Sequence, residues 1–264
     1  MIIKMNLINY LTKIKIFKKI VPSLVKRFLK ILGKHIFIQK YKGLNLKLNL
    51  HEPMDQMIFF HDIYEDEQIS FLTKKIQQLN PHMFVDIGAN SGIYSLLIGK
   101  KFPKLKVIAF EPVKETFLKF QKNIFLNKKI KNITEHNYGL SNKEQNLKMK
   151  AKLRNGYIQQ GGFGIVEKNE NTSSLHTEFA FFKKGDNQFN VKNKIIFFKI
   201  DVEGHELNVL KGLLKTVSRN KIFMQIEIFD QHFKKTNIFL IKNSFKQISK
   251  IYSDGKTDYY YQKI

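Results

Sequence analysis

Met83-Phe-Val-Asp-Ile-Gly-Ala-Asn-Ser-Gly-Ile-Tyr94 is the stretch from which the fold can be read. Met83 to Ile87 is a short apolar run with one acid, Asp86, near its end, and it predicts a strand. Gly88 to Gly92 supplies a turn, and a helix is expected to open at about Ile93. In an open α/β sheet this junction is where a ligand lies, against small residues and a helix N-terminus. Gly88 and Gly92 would let the backbone approach a ligand that a Cβ would push away. Lys106-Val-Ile-Ala-Phe-Glu-Pro112 reads as the next strand, ending in Glu111. An acid about twenty residues beyond the glycine turn suits hydrogen bonds to ribose hydroxyls.

The ligand class follows partly by exclusion. A dinucleotide fingerprint would place glycine at 88, 90 and 93, whereas the chain has Gly88, Asn90 and Ile93. No Gly-Lys-Ser/Thr phosphate loop is present. A nucleoside cofactor without a pyrophosphate remains, and S-adenosylmethionine fits. An ordinary βα turn with a structural glycine pair has the same spacing; Glu111 argues against it.

Outward from this point the chain alternates strand and helix. A helix is expected over 114–127, with Phe117, Phe120, Ile124 and Phe125 on one side, and a strand over 133–138 leading into Gly139-Leu-Ser-Asn142. Residues 143–193 loosen into a hairpin, a Gly161-Gly162-Phe-Gly164 turn and a polar stretch. Strand 195–200 runs into Asp201-Val-Glu-Gly-His-Glu206 and a helix to about Val217, then strand 222–228, a helix over 232–241 and a terminal hairpin around Ser253-Asp-Gly255. The fold class is therefore α/β, a doubly wound, Rossmann-like, mostly parallel sheet with an antiparallel edge. Asp86, Glu111, Asp201 and Glu227 all fall at or near strand ends, on the edge where such a sheet binds ligands. Four acids in one layer suit a cationic, hydroxyl-rich ligand, and a sulfonium nucleoside is both.

Several segments resemble the FkbM-type S-adenosylmethionine-dependent methyltransferases: Phe84-Val-Asp-Ile-Gly-Ala-Asn90, Ala109-Phe-Glu-Pro112, Gly139-Leu-Ser-Asn142 and, most specifically, Lys199-Ile-Asp-Val-Glu-Gly-His-Glu-Leu207 with Leu210-Lys-Gly212. The resemblance covers about residues 60 to 230. It implies a seven-stranded class I methyltransferase fold acting on hydroxyls of sugars or secondary metabolites. It also implies a cofactor seat of Asp86, Gly88, Ala89, Asn90 and Gly92, with Glu111 and Pro112 at the ribose, Ser141 at the adenine side and Asp201 facing both cofactor and acceptor. The 143–193 insertion and the basic N-terminal arm depart from the shared pattern and are expected to hold acceptor specificity.

An alcohol needs a base within hydrogen-bond reach to give up its proton. Asp201 is the first candidate, His205 the second and Glu203 the third. Each has a plainer reading: a cofactor-orienting acid, a surface residue at a helix start, or a first-turn acid favoured by the helix dipole. Glu206 takes the last of these. Glu227 and His61 are candidates for acceptor contact. Asp201, Glu203, His205 and Glu227 could ligate Mg²⁺, but nothing in their spacing demands it, and no metal is expected.

Composition sets the remaining bounds. The 264 residues include 24 Phe and are 43% hydrophobic, enough for a sizeable core. Absence of cysteine excludes disulfides, cysteine nucleophiles and thiolate metal sites, and fits a reducing, cytoplasmic compartment. The net charge of +24 invites a nucleic-acid partner, yet only Arg27, Arg154 and Arg219 are arginine, and lysine is the poorer residue for bidentate phosphate contacts. An RNA or DNA methyltransferase is the alternative function; its common Asn/Asp-Pro-Pro-Tyr/Phe run is replaced here by Asp201-Val-Glu-Gly204.

Residues 1–51 carry eleven lysines and Arg27 with no acid, and 5–32 show apolar residues at helical spacing interleaved with lysine. Pro22 is expected to divide this segment into two helices, and 40–50 alternates like a half-buried strand. The expected organisation is an arm, 1–50, and a catalytic domain, 51–264. The arm either packs on the domain with solvated lysines, the commoner arrangement, or lies on an anionic membrane at the inner face through residues 1–34. A non-catalytic membrane-surface module that keeps the fold is the second alternative. The apolar runs are too short for the roughly 18 residues of a membrane span.

Overall fold

The computed structural model describes residues 17–154, 156–167, 169–253 and 256–263. The chain divides into two compact units, the first ending at Asp66 and the second running from Glu67 to Ile264.

The first unit contains helix α1 (Phe17–Ile31), strands β1 (Ile36–Tyr41) and β2 (Leu44–Asn49), and helix α2 (Pro53–His61). The expected single strand over 40–50 is thus a hairpin, because Lys42 and Gly43 both take left-handed φ values and reverse the chain between Tyr41 and Leu44. Alternation along β2 buries Leu44, Leu46 and Leu48 on one face, and Asp55 accepts the Asn49 N–H at 2.6 Å to tie α2 to the hairpin. Pro22 does not break α1, contrary to expectation. It forfeits a single backbone bond, and its ring is buried. The expected helical residues 5–16 and the Asp254-Gly255 turn lie outside the described residues. Among the described residues no helix is long and apolar enough to cross a membrane.

Helix α3 (Asp66–Leu79) belongs to the second unit from Glu67 onward, and that unit is built on a seven-stranded sheet. Its strands are β3 (Met83–Ile87), β4 (Lys106–Phe110), β5 (Ile133–His136), β11 (Ile195–Ile200), β12 (Lys221–Ile228), β13 (Lys246–Ser253) and β14 (Lys256–Lys263), in the order β13-β14-β12-β11-β3-β4-β5. β5, β4, β3, β11 and β12 are parallel, while β14 runs antiparallel to β12 and β13. Helices α4 (Ile93–Lys101), α5 (Lys114–Leu126), α6 (Glu206–Gly212), α7 (Leu214–Ser218) and α8 (Asp230–Lys242) complete the α/β alternation. β3 and β11 are buried along nearly their whole length, as strands covered on both faces must be.

The 143–193 insertion is more ordered than its polar sequence suggests. β6 (Gly139–Ser141), β7 (Gln145–Arg154), β8 (Tyr157–Ile158) and β10 (Leu175–Lys184) form a second sheet, with β9 (Gly164–Ile165) pairing β7. Met149, Ala151, Phe163, Ala180 and Phe182 give it a small core of its own.

α5 shows where hydrophobic spacing misleads. Its inner face is Thr116, Phe117, Phe120 and Asn123, whereas Phe125 is exposed beneath Lys122 and Lys128. Asn123 takes the inner position because its side-chain amide donates to the Ser91 carbonyl at 2.9 Å, bracing the glycine turn.

Candidate active site

The order of the main sheet reverses at β3. The chain first steps outward through β4 and β5, then returns to the other side of β3 as β11 and β12. The crevice at the carboxyl ends of β3 and β11 is thus the switch point where such sheets take ligands. Ladder register fixes what arrives there. Ile87 pairs with Phe110 on one side and Ile200 on the other, and Ile200 with Ile226. The next residue on each strand is Gly88, Glu111, Asp201 and Glu227, so these four share one layer. Asp86, expected in the same edge layer, instead sits two rows deeper, level with Lys199 and Gln225, because Ile87 still follows it in the strand.

Gly88 has φ +82°, and a Cβ there would lie 1.8 Å from the Asp201 carbonyl oxygen. Only glycine satisfies both constraints. Its N–H and that of Ala89 donate to the Phe110 carbonyl at 2.9 and 3.0 Å, pulling the turn toward β4. Asn90 adopts φ +51°, a left-handed conformation asparagine tolerates, and its Oδ1 accepts the Ser91 N–H at 2.7 Å. Glu111 Oε2 accepts the Asn90 N–H and Oε1 the Val113 N–H, both at 2.9 Å. Burial pushes the Glu111 carboxyl up to about 7, against the pull of those two N–H groups. Pro112 offers its carbonyl to the Asn137 amide at 3.3 Å, and the same amide holds the Glu111 carbonyl at 2.9 Å. Gly92, at φ +81°, lies where a Cβ would strike the Phe120 ring at 2.0 Å.

The deeper row is a polar seam. Asp86 Oδ2 accepts the Ser95 hydroxyl at 2.7 Å, and Asp86 Oδ1 is buried without a hydrogen-bond partner. Burial pushes its carboxyl up. Lys199, only 4% exposed, donates to Asp201 Oδ2 at 3.0 Å and lies 4.5 Å from the Tyr94 ring centroid. Gln225 donates to Asp258 Oδ1 at 2.9 Å.

On the β11 side, Asp201, Glu203 and Glu227 bring carboxylate oxygens within 4.8 Å of one another. Lys256, at the start of β14, donates to Glu203 at 3.0 Å and to Glu227 at 2.8 Å. Burial raises the Asp201 carboxyl, but the Lys199 and Lys256 ammonium groups outweigh it and hold that carboxyl below its ordinary value. Burial and then the Asp201 charge push the Glu227 carboxyl up, against the pull of the Lys256 ammonium. Glu203 is raised by the same two influences, and its φ of +49° marks strained backbone at the edge. The side chains of Asp201, Glu203 and Glu227 remain 23%, 19% and 12% exposed. These three carboxylates are the more open to a ligand; Glu111 is 6% exposed at the edge and Asp86, beneath it, 1%.

His205 is placed differently. Its ring is buried, Nε2 lies 2.9 Å from Ser141 Oγ, Nδ1 lies 3.2 Å from the Asn208 amide, and Phe182 packs edge-on against it. Burial lowers its pKa to about 4. Both ring nitrogens thus have neighbours in the fold, and the ring ties α6 to β6. Ser141, expected at the adenine side, is wholly buried beneath this ring. Glu206 accepts the Gly204 N–H at 2.8 Å and closes the start of α6, the helix-start role expected of it. Gly212 allows α6 to meet β6, since a Cβ there would lie 2.0 Å from the Ser141 carbonyl oxygen. His61 belongs to the first unit, at the end of α2.

Lys256 and Asn123 could not have been picked out from the sequence. Lys256 lies in the terminal hairpin, outside every motif. Lys199 stood inside the quoted run, and a lysine in an otherwise apolar strand was the signal for it.

Strand order and edge together define an α/β fold of the class that seats a nucleoside cofactor at its switch point. A family model described as the methyltransferase FkbM domain matches residues 86–254, and the chain belongs to that family. "Methyltransferase 1" of Beauveria bassiana (strain ARSEF 2860) is 27% identical over 148 residues, 49% of this chain and 57% of that protein. "Methyltransferase sdnD" of Sordaria araneosa is 27% identical over 158 residues, 51% of this chain and 61% of that protein. The chain thus spans less than two thirds of the length of either curated relative. Among solved structures, the human methyltransferase 10 domain containing protein aligns with a TM-score of 0.49 at 12% identity, covering 91% of this chain and 95% of that one. M. jannaschii TYW2 in complex with AdoMet aligns with a TM-score of 0.44 at 15% identity, covering 88% of each.

By family the cofactor is S-adenosylmethionine, and the residues present fit it. The turn at Gly88 leaves no room for a side chain, Glu111 is one hydrogen bond from that turn, and carboxylates on the far side suit a cationic sulfur. Gly88, Ala89, Asn90, Gly92 and Glu111 would hold it, with the buried Asp86 acting from beneath the turn.

Proposed function

We propose that the protein transfers a methyl group to a hydroxyl of a sugar, glycan or small metabolite. One arrangement carries the reading: the three partly exposed carboxylates of Asp201, Glu203 and Glu227 stand beside the glycine turn. When bound, S-adenosylmethionine supplies an activated methyl on sulfur. The chain's own residues do the rest. Glu111 would accept hydrogen bonds from the ribose hydroxyls. Asp201, kept ionised by Lys199 and Lys256, accepts the hydroxyl proton of the acceptor. Glu227, held by Lys256 at 2.8 Å, borders the Asp201 carboxylate on the acceptor side. The insertion supports an acceptor-selecting role, because the backbone of Gly164 lies close to Glu203 and that of Gly161 close to Asn90.

The test is a labelled-methyl assay on cell extract fractionated into glycan, small-metabolite, lipid, protein and RNA pools. Label is expected in the first two, with Asp201→Asn lowering transfer by roughly 10²–10⁴-fold while cofactor binding persists. Label confined to RNA would favour the nucleic-acid alternative instead.

A membrane partner is proposed for the first unit. Ile20, Leu24, Phe28 and Ile31 form an exposed stripe on α1, flanked by Lys26, Arg27 and Lys30. An apolar stripe bordered by cations suits an anionic bilayer surface. Such contact would bring the enzyme to acceptors carried on lipid.

A further inference from the structure

Among the described residues, one ammonium group of the second unit bridges two members of a three-carboxylate cluster, Asp201, Glu203 and Glu227. Lys256 Nζ lies 2.8 Å from Glu227 Oε1 and 3.0 Å from Glu203 Oε1, and the negative charge of Asp201 acts on it as well. Phe229 closes another side, its ring centroid 5.3 Å from the amine. The neighbouring cation, Lys199, donates to Asp201 Oδ2 at 3.0 Å. Oxygens within 4.8 Å of one another match the spread they would have around a hard divalent ion, whose oxygen ligands stand about 2.0–2.6 Å from it.

We propose that Lys256 is the resident cation of this cluster, its ammonium standing where Asp201, Glu203 and Glu227 would otherwise gather a divalent metal. Two positive groups cannot share that volume, so the amine excludes the ion. It also holds Glu203 and Glu227 in the positions a metal would impose, with three donors in place of a coordination sphere. Removing the amine leaves three carboxylates beside Lys199, and the natural remedy is a cation that carboxylates favour, such as Mg²⁺ or Mn²⁺. The consequence for catalysis rests on the function proposed above; the exchange of one cation for another does not.

The exchange can be measured on the full chain without turnover. Chelator-treated wild type, Lys256→Met, Lys256→Arg and Lys256→Met/Glu227→Gln are titrated with Mn²⁺ by electron paramagnetic resonance, with melting temperatures followed alongside. Lys256→Met is expected to bind a single Mn²⁺ at least roughly tenfold tighter than wild type and to gain thermal stability from it. Lys256→Arg and the double variant should not. If Lys256→Met fails to fold alone, recovery of its fold by Mn²⁺ counts as the gain and absence of recovery as its refutation. The proposal is overturned if wild type binds Mn²⁺ at Glu227 as tightly as Lys256→Met does, or if the folded variant gains no affinity. Methyl transfer is scored separately: wild type that methylates no hydroxyl defeats the proposed function and leaves the metal result standing.

Discussion

The Asn90 backbone N–H donates to Glu111 Oε2 at 2.9 Å, which closes the glycine turn of one strand onto the acid at the end of the next. The bond explains why an acid far along the chain reads as part of the same seat. It also leaves the carboxylate able to accept more bonds, since each oxygen has capacity beyond the single N–H it takes from the fold.

Gly88 is the position least able to change. Gly88→Ala adds a Cβ 1.8 Å from the Asp201 carbonyl oxygen at a φ of +82°. Left-handed strain and overpacking each cost about 1–3 kcal/mol, so the variant should lose roughly 2–6 kcal/mol of stability in denaturant titrations. Gly162→Ala is the control. Nothing lies within 4 Å of its Cβ position, and it should stay within about 0.5 kcal/mol of wild type.

Glu111 predicts a pH dependence of defined sign. Its folded carboxyl is raised to about 7 from an ordinary 4.5, so the folded state binds protons that the unfolded state has released. Its contribution to stability is complete below pH 4.5 and is lost as pH rises through 7. Glu206 is raised likewise and acts in the same window. The stability of Glu111→Gln relative to wild type should improve by about 3 kcal/mol between pH 4.5 and pH 8 in the ligand-free protein. No change in that difference would place the Glu111 carboxyl in an ordinary aqueous setting.

His205 works in the opposite direction. Burial lowers it to about 4, so its contribution is complete above the ordinary value of 6.5 and is lost as pH falls through 4. His205→Ala leaves Ser141 and Asn208 without their ring partner and should destabilise by about 2–4 kcal/mol, with methyl transfer retained within roughly tenfold at a temperature where it is folded. A loss of 10² or more in kcat alone would make it the base instead.

The apolar stripe on α1, with its bordering lysines, is tested by flotation. The protein should float with vesicles containing anionic lipid and not with neutral ones, and Leu24→Asp/Phe28→Asp should abolish flotation without altering the melting temperature. Equal recovery of the variant would remove the membrane as partner.

Some of this was legible from residue order and some was not. Strands 83–87, 106–110 and 195–200 and the helix start at Ile93 stand where periodicity put them, because buried parallel strands are apolar runs bounded by turns. Glu111 and Asp201 were legible for the same reason, since each follows the last apolar residue of its strand; Asp86 and Glu227 lie one residue inside theirs. Phe125 was misassigned because aromatic spacing cannot tell a core face from one covered by lysine stems. The hairpin at Lys42-Gly43 was missed because the Leu44 to Leu50 alternation concealed a turn at its start. Lys256 needed tertiary structure, since β14 reaches the cluster only through its pairing with β12, far along the chain.

Isothermal titration calorimetry with S-adenosylhomocysteine addresses the central claim most directly. Wild type should bind with a stoichiometry near one, and Glu111→Ala about 10–100-fold more weakly, as expected for loss of hydrogen bonds to a charged acceptor. Absence of heat from folded wild type, or equal affinity of the two proteins, would contradict the assignment of the Gly88–Glu111–Asp201 edge as the cofactor seat.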